Sequence, residues 1–417
     1  MMAATQNSFY TVVDGDRLYK LSRDAYGDQW LWKRILGANS QLNGRNLASD
    51  GSPLIYPGDK LWIPLYDTLT TDELFVSVQK EIFVLLINGT AVPVTSAEFL
   101  TTIDTGTDHC SATIETESLP ESVKNNLKPF RYPVAQVYIH GKLILTGKVY
   151  TVSPSLTEKG SIKKIDIYSH SADIIDSCVQ PPYTQNSITL KSRALSLCAP
   201  FGLPPVFESG DGGRFDRITA TKSEKIFDHL LKLARKKKLL VSCNEYGALY
   251  IFRPGSTTEP IETLNESDLG PVLSWEGSFN GRDRYSHYRV AGKSVKKVAP
   301  VSTVVDPSVP CYRLHCNSDS SADSGNVEES ADWQRSKALA DALSVTLPLD
   351  SWKTKSGEIW KPNRFVTVIS KTLDIPNGVT LLIRRVTLKL DSDKLTATID
   401  LCPKEVYTGD PVPDIWA

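Results

Sequence analysis

Apolar and polar residues alternate along much of the last third of the chain. Val386, Leu388 and Leu390 interleave with Arg385, Thr387 and Lys389, the period of two of a half-buried antiparallel strand. The pattern predicts strands over 344–349, 364–369, 380–390 and 394–401. Asp391-Ser392-Asp393 supplies a hairpin turn between the last two, and 353–358 a polar loop between the first two. The same alternation predicts strands over 81–88, 91–95, 97–103, 111–115, 133–139, 143–153 and 161–169, with His140-Gly141-Lys142 as the break of one hairpin.

The period changes between these two regions. Ile226, Phe227, Leu230, Leu231 and Ala234 form one apolar stripe and predict a helix over 223–238, with Ser223 as its candidate cap. Shorter helices are expected over 171–176 and 192–200, and a hairpin over 239–252 around Asn244-Glu245-Tyr246-Gly247. Strand returns over 270–279 and 282–292. The Ser-, Asp-, Val- and Pro-rich stretch 293–325 reads as an irregular surface excursion, and 329–343 as a helix. At the other end, strand 10–13, turn Asp14-Gly15-Asp16, helices 17–26 and 30–36 and strand 55–64 make a unit of their own. Residues 66–71 read as a linker, and 73–78 as a strand entry or loose arm.

A chain of 417 residues exceeds one core and suggests roughly three domains. Residues 1–9 lack the basic start and apolar run of a signal peptide, and no segment reaches the ~18 apolar residues of a membrane helix. The expectation is a soluble chain that folds where it is made, with no membrane partner. Seven cysteines are an odd number spread over a long chain, so they read as reduced core residues. A net charge of −1 gives no footprint for wrapping nucleic acid. Arg235-Lys236-Lys237-Lys238 ends a helix, where cations gain ~0.3–1 kcal/mol from the macrodipole without any ligand.

Candidate chemistry is sparse. His109 and Cys110 are strand neighbours and point to opposite faces, whereas a Cys–His pair needs a shared one. Cys311, His315 and Cys316 lack a fourth ligand nearby. Glu115 and Glu117 share a strand face as solvated carboxylates. The nucleophile-elbow, zinc-protease and phosphate-loop motifs are absent from the sequence. The expectation is a protein that is not an enzyme, with no cofactor and no metal.

Two resemblances organise these elements. Tyr10-Thr11-Val12-Val13 followed by Gly15-Asp16, Leu18 and Leu21-Ser22, then Tyr56-Pro57-Gly58-Asp59-Lys60-Leu61-Trp62-Ile63-Pro64, resembles a LysM domain. That resemblance implies a shallow groove of Gly15, Asp16, Arg17, Leu18 and Tyr19 on one side and Leu54, Ile55, Tyr56 and Pro57 on the other. Such a groove serves N-acetylglucosamine polymers or protein docking, docking being the preferred reading here. The stretches SVTLPLDSWKTKSGEIWKPNRFVTV (344–368), LCPKEVY (401–407), LCAPFGL (197–203), KIFDHLLKLARKKKLLVSCNEYGALYIFRPG (225–255) and RYSHYRVAG (284–292) are similar to the Mu-type phage baseplate hub family, related to the late control D proteins of P2-like tails. Asn363 stands where Gly is commoner, and Asn tolerates the left-handed conformation.

The resemblance implies an α+β, mainly β fold: a βααβ LysM domain (8–65), a linker (66–80), a first tube-initiator-like β-barrel (81–177), an α/β inserted domain (178–260) and a second barrel (261–417) with an excursion near 293–328. It also implies a structural hub of a contractile tail, assembled in the host cytoplasm and resident in the virion baseplate. There a homotrimer would join the sixfold tail tube to the threefold spike and let DNA pass. Implied partners are the tail spike, tail tube and tube-initiator proteins, with baseplate wedge proteins and peptidoglycan as further candidates and no sequence-specific nucleic acid. The alternatives are a peptidoglycan-binding cell-wall hydrolase component and the hub of a tailocin or contractile injection system.

Overall fold

The computed structural model describes residues 8–26, 35–36, 39, 42, 45–46, 53–63, 82–117, 119–157, 160–255, 259–268, 270–292, 299–318, 327–391, 394–408 and 410. At the N-terminal end β1 (Ser8–Thr11) pairs antiparallel with β2 (Lys60–Ile63), beside the helix Leu18–Tyr26. Val12, Leu18, Leu21, Ile35, Leu42, Ile55 and Leu61 form its core. Most of the helix expected over 30–36, the linker 66–71 and the arm 73–78 lie outside the described residues.

The first β region comprises β3 (Phe83–Ile87), β4 (Thr90–Val92), β5 (Val94–Thr102), β6 (His109–Glu115), β7 (Val134–Ile139), β8 (Lys142–Thr157) and β9 (Gly160–Ser169). Hydrogen bonding runs in the order β5-β6-β9-β8-β7-β3-β4. Pro93 alone separates β4 from β5, so the two ends of that order are one bent segment and the sheet closes on itself. Proline suits the corner because it fixes φ and offers no ladder donor. The alternation seen in sequence sets the faces: Cys110, Ala112 and Ile114 are buried while their neighbours on β6 are not.

The inserted region has β10 (Thr184–Thr189), β11 (Val206–Phe207), β12 (Arg214–Thr219), β13 (Leu240–Cys243) and β14 (Leu249–Phe252). β10 pairs with β12, and β14 lies between β11 and β13. Helices Leu190–Cys198 and Ile226–Arg235 pack over them around Leu190, Ala194, Leu230 and Val241. Ser223 does not cap the second helix, which starts at Ile226 after Lys225. The reason is a neighbouring strand-like segment. Val179 N–H donates to Glu224 O and Ile226 N–H to Ser177 O, both at 2.9 Å, so Lys225 is held extended opposite Cys178 and the helix begins only at Ile226.

The last region contains β15 (Pro260–Asn265), β16 (Glu276–Phe279), β17 (His287–Ala291), β18 (Val301–Val305), β19 (Leu314–Ser318), β20 (Leu343–Leu349), β21 (Phe365–Ser370), β22 (Ile375–Asp391) and β23 (Lys394–Cys402). The stretch expected to be irregular over 293–325 instead carries β18 and β19, which flank β17 as a separate sheet. That sheet packs on the helix Val327–Asp341 through Val290, Val304, Val327 and Ala331. The strand expected over 270–279 shrinks to β16 plus one bridge, Val272 to Leu349.

The two β regions are copies of one plan. In each, five strands run antiparallel in the same relative order: β5-β6-β9-β8-β7 and β16-β20-β23-β22-β21. Their irregularities coincide. The β7–β8 ladder shifts at Val137/Tyr138 and the β21–β22 ladder at Val368/Ser370; β8–β9 shifts at Val149/Thr151 and β22–β23 at Ile383/Arg385. Matching Val149 to Ile383 then matches Asp166 to Asp400, Ser111 to Thr346 and Glu98 to Glu276 through successive ladders. Bulges are specific local features of a ladder, so this coincidence marks duplication. The copies diverge at one edge, where β3 meets β7 antiparallel but β15 meets β21 parallel.

The copies are also fused. Residues 385–391 of β22 pair with β5, from Arg385 opposite Thr102 to Asp391 opposite Ser96, and one buried apolar cluster runs from Leu85 to Leu401. Trp352 and Trp360 close the second copy, their indole N–H groups donating to Thr396 O (2.9 Å) and Ser351 O (3.1 Å). Asn363 takes φ +60°, the left-handed conformation expected of it.

Candidate docking surfaces

In the LysM-like unit, two carboxylates bind the loops where the groove is expected. Asp16 accepts from Tyr10 Oη (2.8 Å) and Val13 N–H (2.9 Å), closing the 13–16 turn. Asp59 accepts from Tyr56 N–H (2.8 Å) and from both Nη atoms of Arg45, with Nη2–Oδ1 at 3.1 Å. The Arg45 hydrogen bond holds the Asp59 carboxyl below its ordinary range. Val12 N–H donates to Asp59 O and Gly58 N–H to Val12 O, both at 2.8 Å, so the two loops lie side by side.

Of the nine residues assigned to the groove, Leu18 and Ile55 are buried and support the loops from beneath. Gly15, Arg17, Tyr56 and Pro57 are exposed, and Asp16, Tyr19 and Leu54 half-buried. Tyr56 is 52 % exposed and the Arg45 guanidinium sits 5.3 Å over its ring. Arg45 was not legible as a site residue, since no motif in the intervening loop points to it. The surface offers an aromatic face, a guanidinium and backbone polar groups, which suit binding rather than bond-breaking chemistry.

The reactive side chains elsewhere do not converge. Cys110 is buried, its thiol pushed up to about 12, while His109 lies on the other face, 3.4 Å from Asp166 and tilted against the Tyr168 ring. His315 and Cys316 are consecutive on β19, with His315 against Tyr285 and both Cys311 and Cys316 exposed. No group of three potential ligands gathers among the described residues. Glu115 and Glu117 are exposed. Of the basic run, Lys237 lies over the Phe215 ring and Lys238 pairs with Asp410 at 3.1 Å.

A cavity of about 500 Å³ separates the inserted region from the β regions, lined in part by Asp108, Glu208, Cys243, Tyr250 and Trp360. Burial pushes the Asp108 carboxyl up to about 7 and raises the Cys243 thiol well above its ordinary value. A nucleophilic thiol needs the thiolate, and this setting suppresses it. The contacts here are structural: Ser242 Oγ donates to Thr102 O (3.1 Å) and Thr105 O (3.2 Å), tying β13 to the end of β5. Beside it, Asp104 accepts from Tyr407 Oη (2.8 Å) and Arg384 Nε (2.5 Å), and Arg384 O accepts from Ile103 N–H (3.1 Å). This clasp closes one end of the seam between the two β copies.

Comparison with known proteins agrees with that architecture. Residues 10–64 match the LysM domain model, 171–253 the second domain of the baseplate hub protein gp44-like model, and 324–410 the fourth domain of the Mu phage baseplate assembly protein GpP model. The baseplate hub protein gp44 of Escherichia phage Mu is 28% identical over 289 residues, 64% of this chain and 74% of that protein. The 43 kDa tail protein of prophage MuSo2 from Shewanella oneidensis shares the fold with a TM-score of 0.68 at 20% identity, over 78% of this chain and 100% of that one. A tail protein from Neisseria meningitidis MC58 does so with a TM-score of 0.68 at 16% identity, over 80% and 99%. With a doubled β core, an inserted α/β region and a LysM domain in place, the chain is similar over most of its length to Mu-type phage baseplate hub proteins.

Proposed function

We infer that this chain is the baseplate hub of a Mu-like phage tail, a structural component of the virion that acts without catalysis. In this reading three copies form a ring, and each contributes two equivalent β cores. The observation that carries the reading is the duplication itself, matched bulge for bulge and fused along β5 and β22. An object of threefold symmetry then presents six equivalent surfaces, so it mates with a sixfold tube on one side and a threefold spike on the other. A near-neutral chain suits a lumen through which DNA slides, because phosphate binding scales with the cations presented to it.

The LysM domain would dock neighbouring baseplate proteins through the Tyr56–Arg45 surface, with peptidoglycan as the competing ligand. Light scattering on the purified chain tests the ring. Three copies of the 46.1 kDa chain, about 138 kDa, support it; a persistent monomer that also ignores spike and tube proteins overturns it. Loss of turbidity from a peptidoglycan suspension would contradict the non-catalytic role.

A further inference from the structure

The helix Val327–Asp341 packs on β17 and β18 through Val290, Val304, Val327 and Ala331. Tyr288 and Val290 of β17 stand opposite His315 and Asn317 of β19, so these four side chains share the face that meets the helix. A groove of about 370 Å³ is left between the helix and β19, a volume within the range of small-ligand sites. Trp333 and Gln334 line it from the helix, His315 and Asn317 from the strand, and Tyr285 and Asp283 from the turn that precedes β17. Tyr288, 1 % exposed, lies at its base.

Part of this polar lining is engaged within the protein. Lys337 pairs with Asp341 at 2.5 Å, Tyr288 Oη accepts from Tyr285 N–H (3.0 Å), and Asn317 Oδ1 accepts from Ser318 N–H (2.8 Å). Gln334 Oε1, in contrast, is buried with no hydrogen-bond partner. Buried acceptors are nearly always paired, and an orphan of this kind calls for a donor from outside the protein. Asp283 adds an exposed carboxylate, and Trp333 and Tyr285 are half-buried, each with an apolar ring and a polar tip.

We propose that this groove binds a neutral pyranose sugar. The lining mixes donors and acceptors, with amides at Gln334 and Asn317, carboxylates at Asp283 and Asp341 and an ammonium at Lys337. A cationic ligand would meet Lys337 and the amide donors, and an anionic one would meet two carboxylates. Sugar hydroxyls donate and accept at the same atom, and the C–H face of the ring is apolar, as the aromatic lining requires. A planar base stacks face to face on aromatic rings. Here Tyr285 is inclined at 82° to Tyr288 and 40° to His315, which leaves no parallel pair to hold one. The groove belongs to the sheet of β17, β18 and β19, outside the duplicated strands, so the proposal is independent of the ring reading. It also shares no residue with the LysM surface.

The test is a titration of the full chain followed by tryptophan fluorescence. The probes are the methyl glycosides of glucose, galactose and mannose, and N-acetylglucosamine. Trp333 is one of eight tryptophans, so the Trp333→Phe chain, which keeps an aromatic ring, isolates its share of the signal. At least one probe should change that share saturably. Asp283→Ala, at an exposed residue, should raise the Kd at least about tenfold, since hydrogen bonds to charged groups are the stronger ones. Gln334→Leu should raise it about three- to tenfold and leave the melting temperature equal or higher, because it removes an unpaired buried acceptor. Tyr56→Ala should leave the Kd unchanged. The proposal is overturned by no saturable change with any probe, by a Kd indifferent to both Asp283→Ala and Gln334→Leu, or by a larger Trp333 response to adenosine or agmatine than to every sugar. Each of those results leaves the hub reading standing.

Discussion

Leu388→Ala tests whether the two β copies share one core. Leu388 is 1 % exposed, stands opposite Phe99 in the seam, and belongs to the cluster that spans both copies. Removing a buried leucine side chain costs about 2–5 kcal/mol, depending on how far the site collapses. The adjacent Lys389–Glu98 ion pair, at 3.1 Å with both side chains about half exposed, contributes only ~0–1 kcal/mol. Apolar packing, and not charge, therefore holds the seam, and Lys389→Ala is the matched control.

Hydrogen exchange read by mass spectrometry at the peptide level is the assay, because a chain of several regions need not unfold in one step. Leu388→Ala should raise exchange in β6 and β9 of the first copy together with β20 and β23 of the second. The shift should correspond to a few kcal/mol in both, with Lys389→Ala changing neither by more than about 1 kcal/mol. Faster exchange confined to β20–β23, with β6 and β9 as protected as before, would refute the shared core.

Three further outcomes are expected. Tyr407→Phe removes the hydroxyl that donates to Asp104 and should lower stability by about 1 kcal/mol in denaturant titration, loosening exchange near β5 and β22. Asp108 binds its proton more tightly folded than unfolded, its pKa being raised by burial to about 7; its contribution is therefore full below about pH 4, is lost as pH rises through about 7, and Asp108→Asn should flatten that part of the melting-temperature profile. Tyr56→Ala leaves the buried LysM residues in place and should weaken the domain's binding to its ligand at least about tenfold in pull-down, with its melting temperature moved by no more than a degree or two.

Much of the β architecture was legible because each strand buries one face. The run Val386, Leu388, Leu390 and the alternation on β6 both appear in the structure as the sequence implied. β10 and β12 were not foreseen: their residues are polar and largely exposed, so alternation carries no signal there. β18 and β19 were missed for the same reason, since 301–305 and 314–318 gain strand form from pairing with β17 and not from a buried face of their own. The helix start moved from Ser223 to Ile226 because residues 177–179, distant in sequence, pair with 224–226. At the groove, the turn glycines and Asp16 were readable, whereas the burial of Leu18 and Ile55 and the placing of Arg45 over Tyr56 depend on tertiary packing. Duplication was invisible in residue identity and emerged only from strand order and bulge position, because backbone pairing tolerates substitutions that erase sequence likeness.

Electron microscopy of the purified assembly, viewed down its symmetry axis, tests the central claim most directly. The account predicts six similar lobes around one lumen, built from three chains and alternating between first and second β copies. A particle with three lobes, or β copies that do not share a ring, would contradict it.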